Sequence, residues 1–184
     1  MDIPWPRSGD RLLQSGGHRA LAAHILPACP EGVGIVAAGY KEAGDVLIKS
    51  LAENGRNDAL VLPILFCYRQ YIELRLKDII RLINTFEETG QSFKEIHDLK
   101  KLWSSLRASI EEEIDEEDQE EFDAVEECIM ELHRVDRKGT KFRYPDFMEF
   151  DQIDLGNLKL VMGRASAFLD ALADQWEEGI QNKF

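Results

Sequence analysis

Hydrophobic residues recur at helical spacing along most of the chain, and they are densest between Asn57 and Asn84. In this segment apolar side chains nearly surround a helical cylinder, at Leu60, Val61, Ile64, Leu65, Tyr68, Ile72, Leu76, Ile79, Ile80 and Ile83. A helix that is apolar around most of its circumference has to be enclosed by other helices. Its unbroken apolar run, from Ala59 to Tyr68, is about half of the roughly 20 residues that a membrane span requires. The pattern therefore predicts the central helix of a soluble bundle.

The start of this helix is marked by two signals. Asn57 or Asp58 is a suitable cap, and Pro63 indicates either that the helix begins at about Leu62 or that it is kinked there. Amphipathic spacing predicts four further helices, over Ile35–Glu53, His97–Ile114, about 118–135 and from a cap at Asp154 to about Trp176. No strand pattern competes, so the predicted fold is all-α, an up-and-down bundle of four long helices plus an N-terminal helix.

Proline and glycine are frequent in residues 1–34, which we interpret as an irregular N-terminal arm. A short helix over His18–Leu26 fits within this arm, and Trp5, Leu12 and Leu13 are candidates for docking it on the bundle. Residues 35–184 form the predicted bundle domain. The chain is therefore interpreted as one helical domain with an appended arm.

The net charge of −13 is unevenly distributed along the chain. Residues 85–131 contain 17 acidic and 4 basic residues, so the remainder of the chain is electrically balanced. Cys29, Cys67 and Cys128 are widely spaced and form neither a zinc motif nor a disulfide framework. The first ten residues lack the features of a signal peptide. We expect a cytoplasmic protein without a cofactor, a metal or a membrane span.

The connection His133–Pro145, HRVDRKGTKFRYP, is the most informative local feature. It follows the acidic helix directly and opposes a single acid, Asp136, with five bases: Arg134, Arg137, Lys138, Lys141 and Arg143. Arginine suits phosphate oxygens, and a glycine-containing turn leaves backbone N–H groups free to help, so the pattern favours an anion site. The alternative is that these bases neutralise the acidic helix, within the chain or across a dimer.

Charged residues also interrupt the apolar central helix. Arg69, Glu73 and Lys77 are four residues apart and can form an intrahelical ladder. Buried charges are expensive unless paired, so these residues either lock helices together or line a cleft, and locking is favoured. Arg69 is also a candidate ligand-binding residue.

Two histidines lie inside the predicted bundle. His97 precedes a helix start and is interpreted as structural. His133 is four residues before Arg137, and a general base beside an arginine would suit phosphodiester cleavage, which makes this pair the catalytic candidates. Phosphate-loop, dinucleotide-binding, hydrolase, metalloprotease and calcium-loop motifs are absent from the sequence.

Three stretches together, YRQYIELRLKDII, the helix start HDLKKLW and the late FRYP segment, resemble the HEPN superfamily (higher eukaryotes and prokaryotes nucleotide-binding) over residues 36–176. The resemblance is to its uncharacterised bacterial branch. It implies an up-and-down helical bundle, homodimerisation, and roles in nucleotide binding, RNA cleavage or toxin–antitoxin and defence systems. Ribonuclease members carry an arginine that is followed, after four to six intervening residues, by a histidine. The order here, His133 before Arg137, is the reverse, and the matches Arg11…His18 and Arg19…His24 lie in the arm.

Three hypotheses follow. The preferred one is a non-catalytic, dimeric HEPN-like bundle that binds an anionic ligand, such as a nucleotide or RNA, or a protein partner. The second is an endoribonuclease or nucleotide-modifying enzyme that uses His133 with Arg137 or Arg143. The third is a structural or assembly protein acting through its acidic helix face, residues 111–131.

Overall fold

The central apolar segment forms one helix, α2 (Val61–Glu87). Pro63 lies in its first turn, where a missing N–H costs no helical hydrogen bond, and the helix begins two residues before it. The predicted cap is wrong, because the N-cap residue is Leu60 and Asp58 lies one turn earlier in a short 3-10 helix, Asp58–Leu60. The helix ends at Glu87, three residues later than the pattern predicted, and its C-cap residue Glu88 has a left-handed φ of 62°.

The computed structural model describes residues 32–55, 58–90, 95–111, 114, 118–144 and 152–183. Within these ranges the chain forms five α-helices and no strand, as the sequence predicted. Around α2 stand α1 (Gly32–Asn54), α3 (Leu99–Ser109), α4 (Gln119–Val135) and α5 (Leu155–Lys183). The fold class, an all-α helical bundle, is therefore confirmed. None of the helices in the described ranges is long and apolar enough to cross a membrane.

Helix α2 is the centre of the core, because it packs against α1, α3 and α5. Its buried apolar residues are the eight between Ile64 and Ile83 that the periodicity singled out, together with Tyr71 and Leu82, whereas Leu60 and Val61 are only half-buried. Burying each large apolar side chain contributes about 1.5–3 kcal/mol, so enclosure of this helix is a major part of the favourable energy of folding. Helix α1 approaches it closely at Gly44, where a Cβ would stand 2.7 Å from a ring carbon of Tyr68.

Two helix ends differ from the sequence prediction. Helix α3 stops at Ser109 rather than Ile114, and a carboxylate at Glu111 would have opposed the negative end of a longer helix. Helix α5 continues seven residues beyond Trp176, to Lys183. This extension has tertiary support, because the Lys183 ammonium donates to the Phe86 carbonyl at 2.5 Å and lies over the Phe86 ring.

Helix α4 presents carboxylates to α3, and Arg107 of α3 meets them. Its guanidinium pairs with Asp123 at 2.8 Å and with Glu126, whose carboxylate also accepts from the Trp103 indole N–H at 2.9 Å. On the inner face of α4, Ile129 is buried and Cys128 is half-buried. Arg107 thus pairs with two of the carboxylates of α4, Asp123 and Glu126.

The predicted N-terminal arm, including Trp5, Leu12, Leu13 and the helix His18–Leu26, lies outside the described residues. The boundary between arm and bundle is likewise untested. Helix α1 is described from Gly32 and ends at Asn54, one residue after the predicted end at Glu53, and it is followed by Gly55 with a φ of 88°.

Candidate functional site

The predicted anion site is an ordered turn between α4 and a short 3-10 helix, Lys141–Arg143. We call residues 134–143 the basic turn. Helix α4 ends at Val135, the chain reverses through Gly139 with a φ of 70°, and Phe142 is buried beneath it. Only glycine adopts a φ of this sign freely, so Gly139 fixes where the turn reverses.

The basic turn already contains an anion, the carboxylate of Asp136. This residue is 2% exposed, and its Oδ1 accepts hydrogen bonds from the backbone N–H groups of Thr140 at 2.9 Å and Lys141 at 3.1 Å. The expectation that the turn leaves its backbone N–H groups free is therefore wrong for these two. These two N–H groups are therefore not available to an external anion.

Arg69 of α2 lies directly below the turn and is wholly buried. Its guanidinium donates to the Asp136 carbonyl at 3.2 Å, to Glu73 at 2.7 Å and to the His97 carbonyl at 2.6 Å. One side chain therefore joins α2 to the residue before α3 and to the end of α4. This geometry is the helix lock expected of the charged ladder, and it presents no surface of Arg69 to a ligand.

Gly139 lies against this guanidinium as well. A Cβ at Gly139 would stand 3.2 Å from Cζ of Arg69, a distance shorter than ordinary van der Waals contact. The backbone of the turn therefore packs closely on the guanidinium at Gly139, where an added methyl group would require Arg69 to shift. We call Arg69, Glu73, His97 and Asp136 the Arg69 cluster.

Glu73 is the acidic centre of the Arg69 cluster. Besides Arg69, it accepts from the Lys77 ammonium at 2.7 Å and lies 2.8 Å from Nδ1 of His97. Burial alone would raise the pKa of Glu73, but the hydrogen bonds from Lys77, Arg69 and His97 outweigh it and hold the pKa below its ordinary value. The carboxylate therefore stays ionised inside the protein.

The other predicted ligand residues have a different environment. Arg134, Arg137, Lys138 and Arg143 are exposed, and Lys141 is half-buried. Among the described residues, none of these five side chains is within ion-pair distance of a carboxylate. Within the described part of the chain, the alternative that they neutralise the acidic helix has no contact to support it. The base that contacts carboxylates of this helix is Arg107, at Asp123 and Glu126.

His133 points away from this exposed surface. It is 8% exposed, its Nδ1 lies 3.6 Å from Asp98 at the start of α3, and that nitrogen has no hydrogen-bond partner among the described atoms. Arg137 follows the end of α4 and is exposed. No described contact joins the two, so the predicted catalytic pair is not brought together. His97 contacts Glu73, in line with its structural interpretation.

A second buried charged cluster was not predicted from the sequence. Asp78 of α2, 2% exposed, pairs with Arg75 at 3.3 Å and Arg81 at 3.0 Å. Arg75 also pairs with Asp170 of α5 at 2.6 Å, and Asp170 accepts from the Tyr71 hydroxyl. The spacings Arg75–Asp78 and Asp78–Arg81 are the only sequence signals that could have indicated it.

Comparisons of the chain with protein-family models, with curated proteins and with solved structures found no match. Within the described residues there is also no group of three or more His, Cys, Asp or Glu side chains arranged to hold a metal ion. The resemblance to the HEPN superfamily therefore stays a prediction.

Proposed function

We propose that the protein is a non-catalytic HEPN-like bundle that binds a phosphate-bearing ligand, a nucleotide or RNA, through the exposed bases of the basic turn. The observation that carries the proposal is the contrast in pairing. Arg137, Lys138 and Arg143 are exposed and unpaired among the described residues, whereas Asp123 and Glu126 of the neighbouring acidic helix are paired with Arg107.

The support beneath these bases favours binding. Ordering a loop on association costs free energy, and a turn that is already fixed avoids much of that cost. Asp136 and Arg69 hold the backbone of the basic turn through the hydrogen bonds described above. The charges are therefore presented from a supported backbone, and the guanidinium forks suit phosphate oxygens.

The non-catalytic part of the proposal is supported by the position of His133. A general base must come within hydrogen-bond reach of the proton it removes. His133 is buried and faces Asp98 rather than the exposed bases. No specific observation favours the ribonuclease alternative or the assembly role of the acidic face, and we do not propose them.

The binding test uses the double substitution Arg137→Ala with Arg143→Ala. Affinity for a single-stranded RNA oligonucleotide and for a nucleoside triphosphate is titrated across salt concentrations. For RNA, loss of two phosphate contacts should lower the slope of log K against log salt by about 1.4. A loss confined to one probe identifies the ligand class.

The matched control is Lys100→Ala with Lys101→Ala, which removes the same charge from two exposed lysines of α3. This control should leave the affinity and the slope nearly unchanged. If both double variants weaken binding equally, general electrostatics explains the effect and the basic turn is not the binding site. Unchanged binding in the first variant also contradicts the proposal.

We propose in addition that the bundle forms a homodimer. The support is a set of exposed apolar side chains on the two outer helices: Ile35, Val36 and Val46 of α1, and Leu160 of α5. Light scattering at micromolar concentration should give twice the chain mass of 21.0 kDa. A monomer mass under those conditions contradicts this part. The toxin–antitoxin or defence context rests on the resemblance alone.

A further inference from the structure

A cavity of about 280 Å³ lies between the C-terminal half of α4 and the beginning of α5. Apolar side chains from three helices and the basic turn form most of its wall: Leu65, Leu132, Val135, Phe142, Leu158 and Met162. Small-molecule sites are typically concave and mostly apolar, with a few polar groups that fix orientation. The cavity has this character, and the exposed bases of the basic turn do not line it.

The charged groups at this cavity are acidic. Among the described residues that line it, the only ones with charged side chains are Glu131 and Asp154, and both are exposed at its edge. Asp154 uses Oδ1 to accept from the backbone N–H of Asn157 at 2.9 Å, capping α5. Its carboxylate thereby interacts favourably with the positive partial charge at the N-terminus of that helix.

The neighbouring surface has the same sign. Cys128, Glu131 and Val161 also line an open concavity that continues along α4, where Glu127 is exposed. Arg107 borders that concavity but is paired with Asp123 and Glu126, and Arg134 is the remaining base.

The end of α4 adds to this field. Leu132 and Val135 belong to its last turn, where the carbonyl groups carry negative partial charge. The negative end of α4 and the carboxylate of Glu131 thus lie at the apolar cavity, whereas the carboxylate of Asp154 offsets the positive end of α5 there.

From this juxtaposition we propose that the cavity between α4 and α5 binds a small apolar ligand that carries a cationic amine. The apolar body fills the wall formed by Leu132, Phe142 and Met162, and the ammonium group lies at the edge with Glu131 and Asp154. The site is separate from the phosphate-binding surface of the basic turn, so each proposal can fail alone.

The first test uses three probes with one apolar body and different head groups: octylammonium, octanol and octanoate. Binding to the full chain is measured by titration calorimetry at low salt. Octylammonium should bind about three- to tenfold more tightly than octanol, as one or two exposed ion pairs provide, and octanoate should bind most weakly. Octanoate binding as tightly as octylammonium, or no binding of any probe, overturns the proposal.

Two substitutions locate the binding. Glu131→Gln should reduce the preference for octylammonium over octanol, whereas Glu121→Gln, an exposed carboxylate on α4 outside the cavity, should not. Val161→Phe should fill the cavity and weaken all three probes together. If Glu131→Gln and Glu121→Gln behave alike, or if a folded Val161→Phe variant binds as the wild type does, the assignment is wrong.

Thiol protection gives a readout that needs no substitution. Cys128 lines the cavity and is half-buried, whereas Cys67 is half-buried elsewhere on α2. Octylammonium should slow the alkylation of Cys128, followed by peptide mass spectrometry, and leave the rate at Cys67 unchanged. Equal protection of both thiols, or of neither, overturns the proposal.

Discussion

The Arg69 cluster includes Asp136, and the exposed bases of the basic turn follow Asp136 along the chain. Arginine side chains nevertheless have opposite environments in these two neighbouring regions. Arg69 is wholly buried and donates three hydrogen bonds to chain groups. Arg137 and Arg143 are exposed and have no ion pair among the described residues. The comparison teaches that burial and partners, rather than residue type, separate an arginine that holds a fold from one that is available to a ligand.

The largest expected effect comes from removing the buried partner. Arg69→Ala leaves the buried carboxylate of Asp136 without the guanidinium 3.7 Å away, and it removes one of the two cations paired with Glu73, which retains Lys77. The substitution should lower the free energy of unfolding by about 3–5 kcal/mol. Urea denaturation followed by circular dichroism measures it. Arg69→Met, which retains apolar volume, tests how much of the loss is packing. A loss below about 1 kcal/mol for the alanine variant would contradict the interpretation of this cluster as a lock.

Acid should act on the same cluster through Glu73. Because its pKa is lower in the folded than in the unfolded protein, the stability it contributes is present above its ordinary pKa of 4.5 and is lost as the pH falls through the lowered folded value. Urea midpoints measured from pH 6 downwards should therefore decline below about pH 4.5. Glu73→Gln should be less stable at pH 6 and show a shallower decline. An identical pH profile in both proteins would exclude Glu73 as a source of the loss of stability in acid.

Alanine substitutions at two glycines allow the energetic cost of a left-handed backbone to be distinguished from the cost of contact with Arg69. Gly139 and Gly90 have nearly the same φ, 70° and 68°, but a Cβ at Gly90 would meet nothing within 4 Å. Gly90→Ala should destabilise by about 1 kcal/mol through the left-handed backbone alone. Gly139→Ala should cost about 1 kcal/mol more, because its methyl group presses on the guanidinium. Equal values would mean that the arginine moves aside freely.

The smallest effect on stability is expected at the exposed bases. Arg137→Ala with Arg143→Ala should change the free energy of unfolding by no more than about 0.5 kcal/mol, since neither side chain has a partner that the substitution would orphan. Thermal and urea melts measure this change alongside the RNA titration. A loss of stability comparable with that of Arg69→Ala would show that the two regions form one structural unit. It would contradict the distinction between a structural and an available arginine.

Much of the fold could be predicted because helical periodicity reports burial directly. Ile64, Ile72 and Ile79 share a pattern that only an enclosed helix satisfies, and all three are buried. The Asp154 cap was also predictable, because its side chain acts within three residues of sequence. Helix ends depended on distant contacts, as Lys183 on Phe86 shows, and local sequence carries little information about those.

The candidate site was less predictable for a related reason. The five bases could be identified from sequence, but not that Asp136 would occupy the backbone N–H groups of their turn, nor that Arg69 would lie beneath it. The pairing of Arg69 with the Asp136 and His97 carbonyls joins residues 67 and 28 positions apart. His133 was placed on the correct helix, but its orientation toward Asp98 depends on how α3 packs against α4, which no spacing reveals.

Helix α2 carries its two buried charge clusters toward different neighbours, Arg69 toward α3 and the basic turn, and Arg75 toward α5. Native-state hydrogen exchange should reveal this division as two cooperative units, with the α3–α4 hairpin opening at lower free energy than the α1–α2–α5 trio. A lesion at Arg69 would then loosen one flank of the molecule while the outer faces of α1 and α5, where a second copy is proposed to associate, keep their shape. Dimerisation and ligand binding would then be energetically independent, because the central helix α2 separates the two regions involved.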